Sequence, residues 1–167
     1  GRKKGKNGMC KEKQGGGSMI YLCMAAAVFV GDLFIKNHME RSLADGKERK
    51  RCKGLLRFRL HHNEGAVLNA GQKRRPMVAA LSVFLTVIVA AAFILSLGQG
   101  NRMLKTGLSL LLGGGFSNTY DRLRRKYVVD YFSFGFGGKR FSRIVFNLSD
   151  FGIIIGAMMA ALAGTRP

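Results

Sequence analysis

The sequence predicts an all-α membrane protein, a bundle of four transmembrane helices carrying one small β element. Three observations predict it. Residues 77–97 run for 21 positions without a charge; as a helix rising about 1.5 Å per residue they are roughly 31 Å long, the thickness of a bilayer core. Lys and Arg number 28 against nine Asp and Glu, a net charge of +19, yet 47% of the 167 residues are hydrophobic. A chain that is both very basic and very apolar keeps the two properties apart, and here the basic residues crowd outside the apolar stretches. Three further stretches, 19–35, 103–120 and 144–164, also have spanning length. A soluble nucleic-acid binder of this charge would interleave its basic residues with aromatics on one face, so no nucleic-acid partner is expected.

Taken in order, residues 1–18 are basic and glycine-rich and read as a flexible tail ahead of a single membrane domain, 19–167. The first helix, 19–35, contains Asp32. Cys23 lies in it, but the residue before it is Leu22, where a lipoprotein signal needs a small one. Cys10, Cys23 and Cys52 show no paired or metal-ligand spacing, so no disulfide framework, metal or other cofactor is expected. The polar insertion 36–76 is too long for a simple connector and should hold structure. Within it Leu56, Phe58 and Leu60 alternate with Arg57, Arg59 and His61, the period of a strand that could lie along the membrane surface. Residues 47–59 hold seven basic side chains opposed by Glu48 alone, a solvated face or a contact with anionic lipid.

The second helix is 77–97. The third, 103–120, and the fourth, 144–164, are rich in small residues: Gly113, Gly114 and Gly115 in one, Gly152, Gly156, Ala157 and Ala160 in the other, which permits close helix packing. Between them 127–132 is β-prone and 133–138 reads as a glycine-rich turn.

Candidate chemistry sits in the acids. Acids at membrane depth cost about 2.5–3.5 kcal/mol each on insertion scales, so they point to a bundle interior and a function. Asn118-Thr119-Tyr120-Asp121 and Asn147-Leu148-Ser149-Asp150 each set an amide three residues from a carboxylate, on one face of a helix, with Arg122 four residues after Asn118. Asp130 lies in the β-prone piece. Asp32 and Lys36, four residues apart at a helix end, read as a structural ion pair. Asp121 with Arg122 reads equally well as structural or functional. His61-His62 lacks the spacing of a zinc helix. Three Asp residues near the membrane boundary, with no nucleophilic Ser or Cys set beside a His, point to carboxylate chemistry; a small transporter or proton-conducting protein using the same buried acids is the alternative. A basic scaffold binding anionic lipid would explain the charge and leave the acids unexplained.

Together these segments resemble signal peptidase II, the lipoprotein signal peptidase family of aspartic membrane proteases. Residues 113–122 with Val128-Val129-Asp130-Tyr131 are similar to the family's GGAxGNxxDR…VVDF block, and Phe146-Asn147-Leu148-Ser149-Asp150 to its FNxAD block. Asn63-Glu64-Gly65-Ala66 is similar to NxGAAF, and Asp32 with Lys36 to DQxxK. The departures are Leu33 for Gln, Gly115 for Ala, Ser117 for Gly, Ser149 for Ala, and Val67-Leu68 for the final Ala-Phe.

The resemblance implies a catalytic pair, Asp130 and Asp150, with Asn63, Gly65, Asn118, Asp121, Arg122 and Asn147 as the surround that orients them and the substrate. It implies an endopeptidase of the bacterial cytoplasmic membrane that cuts diacylglyceryl-modified prolipoproteins just before the lipidated Cys. A monomer is expected. Both termini would be cytoplasmic, with the site and the β element at the extracytoplasmic face. Basic residues count the other way, 19 in the loops after the first and third helices against 9 on the opposite side. The family orientation is preferred, because the first helix usually dominates and its leading tail is strongly basic.

Overall fold

The computed structural model describes residues 6–65 and 75–165, and places side chains for 17–65, 75–138 and 141–165. Ala66, Val67, Leu68 and the side chain of Cys10 lie outside the described residues. The order of elements is α1 (Lys6–Ser42), β1 (Arg49–Arg51), a single 3-10 turn (Cys52–Gly54), β2 (Leu56–Asn63), α2 (Arg75–Leu97), α3 (Arg102–Arg124), β3 (Val128–Phe134), α4 (Gly138–Phe141) and α5 (Leu148–Gly164).

The helices are apolar outside and polar inside. Phe34 and Leu95 are 73% exposed while Asp32, Lys36 and Asp121 are fully buried, the reverse of a water-soluble core. α3 is the centre, with α1, α2 and α5 all packed on it. Its glycines make this possible. A Cβ at Gly113 would stand 2.5 Å from the Ala25 carbonyl oxygen, and one at Gly114 would stand 2.5 Å from that of Ser149, so only a hydrogen fits where these backbones meet. Gly115 differs: it faces Thr86 Oγ1 at an ordinary distance. Away from the polar centre a small cluster of Phe93, Leu108 and Leu112 closes the α2–α3 contact.

Among the described residues, two helices are long and apolar enough to cross a membrane, Gly17–Ser42 and Arg75–Leu97. That is fewer than the four expected. α5 is apolar but has 17 residues, and α3 has the length but turns Ser109, Ser117, Asn118 and Asp121 into the centre. Polar residues on an enclosed face lower the average apolarity of a helix.

Several boundaries differ from the sequence expectation. α1 continues past residue 35 to Ser42, where Glu40 accepts from Arg125 Nη1 at 2.7 Å and Tyr127 Oη at 2.9 Å, tying its end to the end of α3. β3 runs on through Ser133 and Phe134, two residues expected in a turn. The last helix starts at Leu148, not at 144, because Phe146 is extended and pairs with β3: its N–H donates to Phe132 O at 2.7 Å and its carbonyl accepts from Tyr131 N at 3.0 Å.

The sheet is antiparallel in the order β1-β2-β3. β2 and β3 pair with His61 opposite Asp130 and Asn63 opposite Val128, with a bulge between Phe58 and His61. On one face Phe132 stacks on Phe151 at 5.2 Å and Phe134 on Phe141 at 5.7 Å, with Phe146 among them. The charged alternation of β2 is engaged rather than free: Arg57 faces Glu48 at 3.8 Å, and Arg59 donates to the carbonyl of Arg143 at 2.7 Å.

Candidate active site

Three local structures converge at the sheet end of the bundle. β3 delivers Asp130. The pairing of Phe146 with β3 brings Asn147 alongside it, and α5 begins there with Asp150 in its first turn. Asn147 and Asp150 form a capping box: Asp150 N donates to Asn147 Oδ1 at 2.9 Å and Asn147 N to Asp150 Oδ2 at 3.0 Å. At Asn147–Asp150 the Asn-x-x-Asp spacing thus marks a helix start, whereas Asn118–Asp121 lies inside α3.

Each asparagine around the pair is fixed in orientation by a donor on its oxygen, since an N–H or ammonium can only donate. Asn147 Oδ1 accepts from Asp150 N, so its amide nitrogen turns to Asp130 Oδ1 at 2.7 Å. Asn63 Oδ1 accepts from Gly65 N at 3.1 Å, so its nitrogen turns to Asp130 Oδ2 at 3.2 Å. Asn118 Oδ1 accepts from Lys36 Nζ at 2.9 Å, so its nitrogen turns to Asp150 Oδ1 at 3.0 Å. Asn147 touches both carboxylates and joins them. Asn63 reaches Asp130 diagonally across the β2–β3 ladder, as same-face residues do.

Lys36 sits at the heart of a second, fully buried group. Its ammonium lies 2.7 Å from Asp32 and 2.9 Å from Asp121. Asp121 also meets Arg125 Nε at 3.3 Å, so two cations balance two anions, the condition under which buried charges are tolerated. Asp32 and Lys36 form the expected ion pair, and the same ammonium also orients Asn118. Arg122 donates to the carbonyls of Gly65 at 3.2 Å and Asn118 at 3.3 Å; its Nε is buried and makes no hydrogen bond among the described residues.

Burial, and after it the nearby charge of Asp150, pushes the Asp130 carboxyl up from 3.8 to about 7; two carboxylates held close resist ionising together. The pair opens onto a cavity of about 550 Å³ between α2, α3 and α5. Asn63, Asn118, Arg122, Asp130 and Asp150 line its polar end, and Leu85, Val89, Leu111, Ile153 and Ile154 its apolar length. Thr86 and Thr119 bond to each other in its wall at 2.9 Å. An apolar slot ending at two carboxyl groups, one of them held near neutrality, can hold an extended or acylated chain and offer an acid and a base to a bond at its end.

The sequence profile of the family described as "Signal peptidase (SPase) II" matches residues 24–165. The chain belongs to the signal peptidase II family. The lipoprotein signal peptidase of Lactobacillus johnsonii is 29% identical over 90% of this chain and 92% of its own, and that of Geobacillus thermodenitrificans is 32% identical over 85% and 87%. Two solved structures of a bacterial membrane enzyme share the fold at 22% identity, with TM-scores of 0.72 and 0.70, covering 89% and 90% of this chain and 87% and 94% of theirs. A signal peptidase II is a membrane protease that removes the signal peptide from prolipoproteins, and that is the function of this chain.

The structure brings together Asp130, Asp150, Asn63, Asn118, Asn147 and Arg122, and sets Asp121, Asp32 and Lys36 directly behind them. Gly65 contributes its carbonyl to Arg122 and its N–H to Asn63. Ser117, Ser149, Thr86 and Thr119 carried no expected role. The first two stood out only as departures from the family motifs, and the threonine pair, 33 positions apart, has no local sequence signal.

Proposed function

We propose that this protease is of the aspartic type, with Asp130 and Asp150 as its catalytic pair. Asp130, held near neutrality, keeps its proton; Asp150, fed by hydrogen bonds from Asn118 and the Asn147 N–H, is the base. Water loses a proton to Asp150 as its oxygen adds to the scissile carbonyl carbon, and the tetrahedral intermediate collapses as Asp130 gives its proton to the leaving nitrogen. The products are the signal peptide's carboxylic acid, which releases its proton to water, and a free amine on the new N-terminal residue. Proton exchange from Asp150 to Asp130 resets the pair. Arg122 and the asparagine amides offer donors to the developing oxyanion.

The substrate is a diacylglyceryl-modified prolipoprotein, cut just before the lipidated Cys, with the apolar cavity beside the carboxylates receiving its membrane-embedded part. The chain acts as a monomer, with α1, α2, α3 and α5 all crossing the bilayer and α3 enclosed by the others. The sheet and the carboxylates lie at the extracytoplasmic face, where an exported precursor first presents its Cys. The observation that carries this reading is the joining of Asp130 to Asp150 through Asn147 at the mouth of an apolar cavity.

Purified protein should cut a synthetic diacylglyceryl precursor peptide before its Cys, read by mass spectrometry, and leave the unlipidated peptide at less than about a tenth of that rate. Equal rates on the two peptides would overturn the substrate assignment.

A further inference from the structure

Three hydroxyl side chains have no part in the chemistry above: Ser117, Ser149 and Tyr131. Ser117 and Ser149 stand where the motif patterns have Gly and Ala, and all three hydroxyls gather around the N-terminus of α5. A helix opens with four backbone N–H groups that have no partner inside it. In α5 every one is satisfied. Asn147 N donates to Asp150 Oδ2 at 3.0 Å and Asp150 N to Asn147 Oδ1 at 2.9 Å. The other two reach different elements: Leu148 N donates to Tyr131 Oη on β3 at 2.9 Å, and Ser149 N to Asp32 Oδ1 on α1 at 3.3 Å. The Asp32 carboxylate is itself held, for its Oδ2 accepts from Ser117 Oγ at 2.6 Å and Ser149 Oγ at 2.5 Å.

We propose that these three hydroxyls form a clamp that sets Asp150 against Asp130, making Tyr131, Ser117 and Ser149 positioning residues for hydrolysis. Tyr131 follows Asp130 on β3, and Leu148 stands two residues before Asp150, so the Tyr131–Leu148 bond ties the strand bearing one carboxylate to the helix bearing the other. Asp32 ties the next amide to α1, at a helix end where a carboxylate is favoured. Without these ties α5 can slide or tilt at its first turn, and a displacement of about 1 Å at a catalytic group costs on the order of 100-fold in rate. None of the three lines the cavity, so their loss acts on turnover and leaves substrate affinity alone. This inference rests on Asp130 and Asp150 being the reacting pair.

The test compares full-length wild type with Tyr131→Phe, Ser149→Ala and Ser117→Ala, using the diacylglyceryl precursor peptide for kcat and KM and hydrogen exchange for the amides of Leu148 and Ser149. The expected result for Tyr131→Phe is a fall in kcat of about tenfold, KM within about twofold, and faster exchange at Leu148. Ser149→Ala and Ser117→Ala should show the same split, with faster exchange at Ser149, and stand in if Tyr131→Phe does not fold. Retention of kcat within about twofold in the folded variants would overturn the clamp, as would a loss of rate that only tracks the folded fraction. Should wild type cleave nothing, the assignment of the pair fails; exchange still judges the clamp, and unchanged protection in Tyr131→Phe refutes it.

Discussion

Replacing Asp130 with Asn removes the proton on which the proposed mechanism draws and also a charge that the fold resists. The folded chain holds this carboxyl at about 7 against an ordinary 3.8, a gap of about three units and so roughly 4 kcal/mol. Below about pH 4 both folded and unfolded chains keep the proton and the site costs nothing. As pH rises the unfolded chain releases it first, so stability falls steadily until the folded group also ionises near pH 7, above which the full cost is present. Asn cannot ionise, which removes the slope. It does place an amide against Asn63 and Asn147, both of which present N–H groups to residue 130, losing one hydrogen bond at about 1–3 kcal/mol. Asp130→Asn should therefore be the less stable protein near pH 4.5 and the more stable by about 1–3 kcal/mol at pH 8.5. In melting temperature the difference reverses sign by several degrees, followed by circular dichroism in detergent micelles across that range. A gap between the two proteins that stays constant with pH would refute the raised carboxyl and the proton assignment built on it.

Lys36→Met strips the buried ammonium from Asp32 and Asp121 and should cost about 3–5 kcal/mol, seen as a melting temperature lower by roughly 10 °C. Gly114→Ala drives a Cβ to 2.5 Å from the Ser149 carbonyl oxygen and should destabilise by about 1–3 kcal/mol; Gly115→Ala, with 3.4 Å to a side-chain hydroxyl, should melt like wild type. In intact cells an impermeant maleimide should label the exposed Cys52 and spare Cys10; labelling of Cys10 alone would invert the orientation.

Much of the site was legible because its residues lie in short motifs. The Asn147–Asp150 spacing carries its own explanation as a capping box, and Asn118 stands out by its spacing from Asp121, although its hydrogen bond to Asp150 spans 32 positions. What escaped is long-range. Lys36 could be paired with Asp32 from sequence, four residues apart, but its bonds to Asp121 and Asn118 depend on how α1 lies against α3. Ser117 and Ser149 looked like motif departures, yet both hydroxyls end on Asp32, more than 80 positions away along the chain. The start of α5 was misplaced for the same reason: the pairing of Phe146 with β3 overrides the apolar run from 144. The third helix was legible from 103–120, but the face it turns inward, with Ser117, Asn118 and Asp121 buried, keeps it out of the two helices apolar enough to cross a membrane among the described residues.

The most direct test of the account is the cleavage rate of Asp130→Asn and Asp150→Asn on the diacylglyceryl precursor peptide, with folding of each checked by its circular dichroism spectrum. Each substitution removes one of two proton transfers, each worth about 100- to 10,000-fold, so both folded variants should fall at least about a hundredfold below wild type. Activity above about a tenth of wild type in either variant would contradict an aspartic pair made of these two residues.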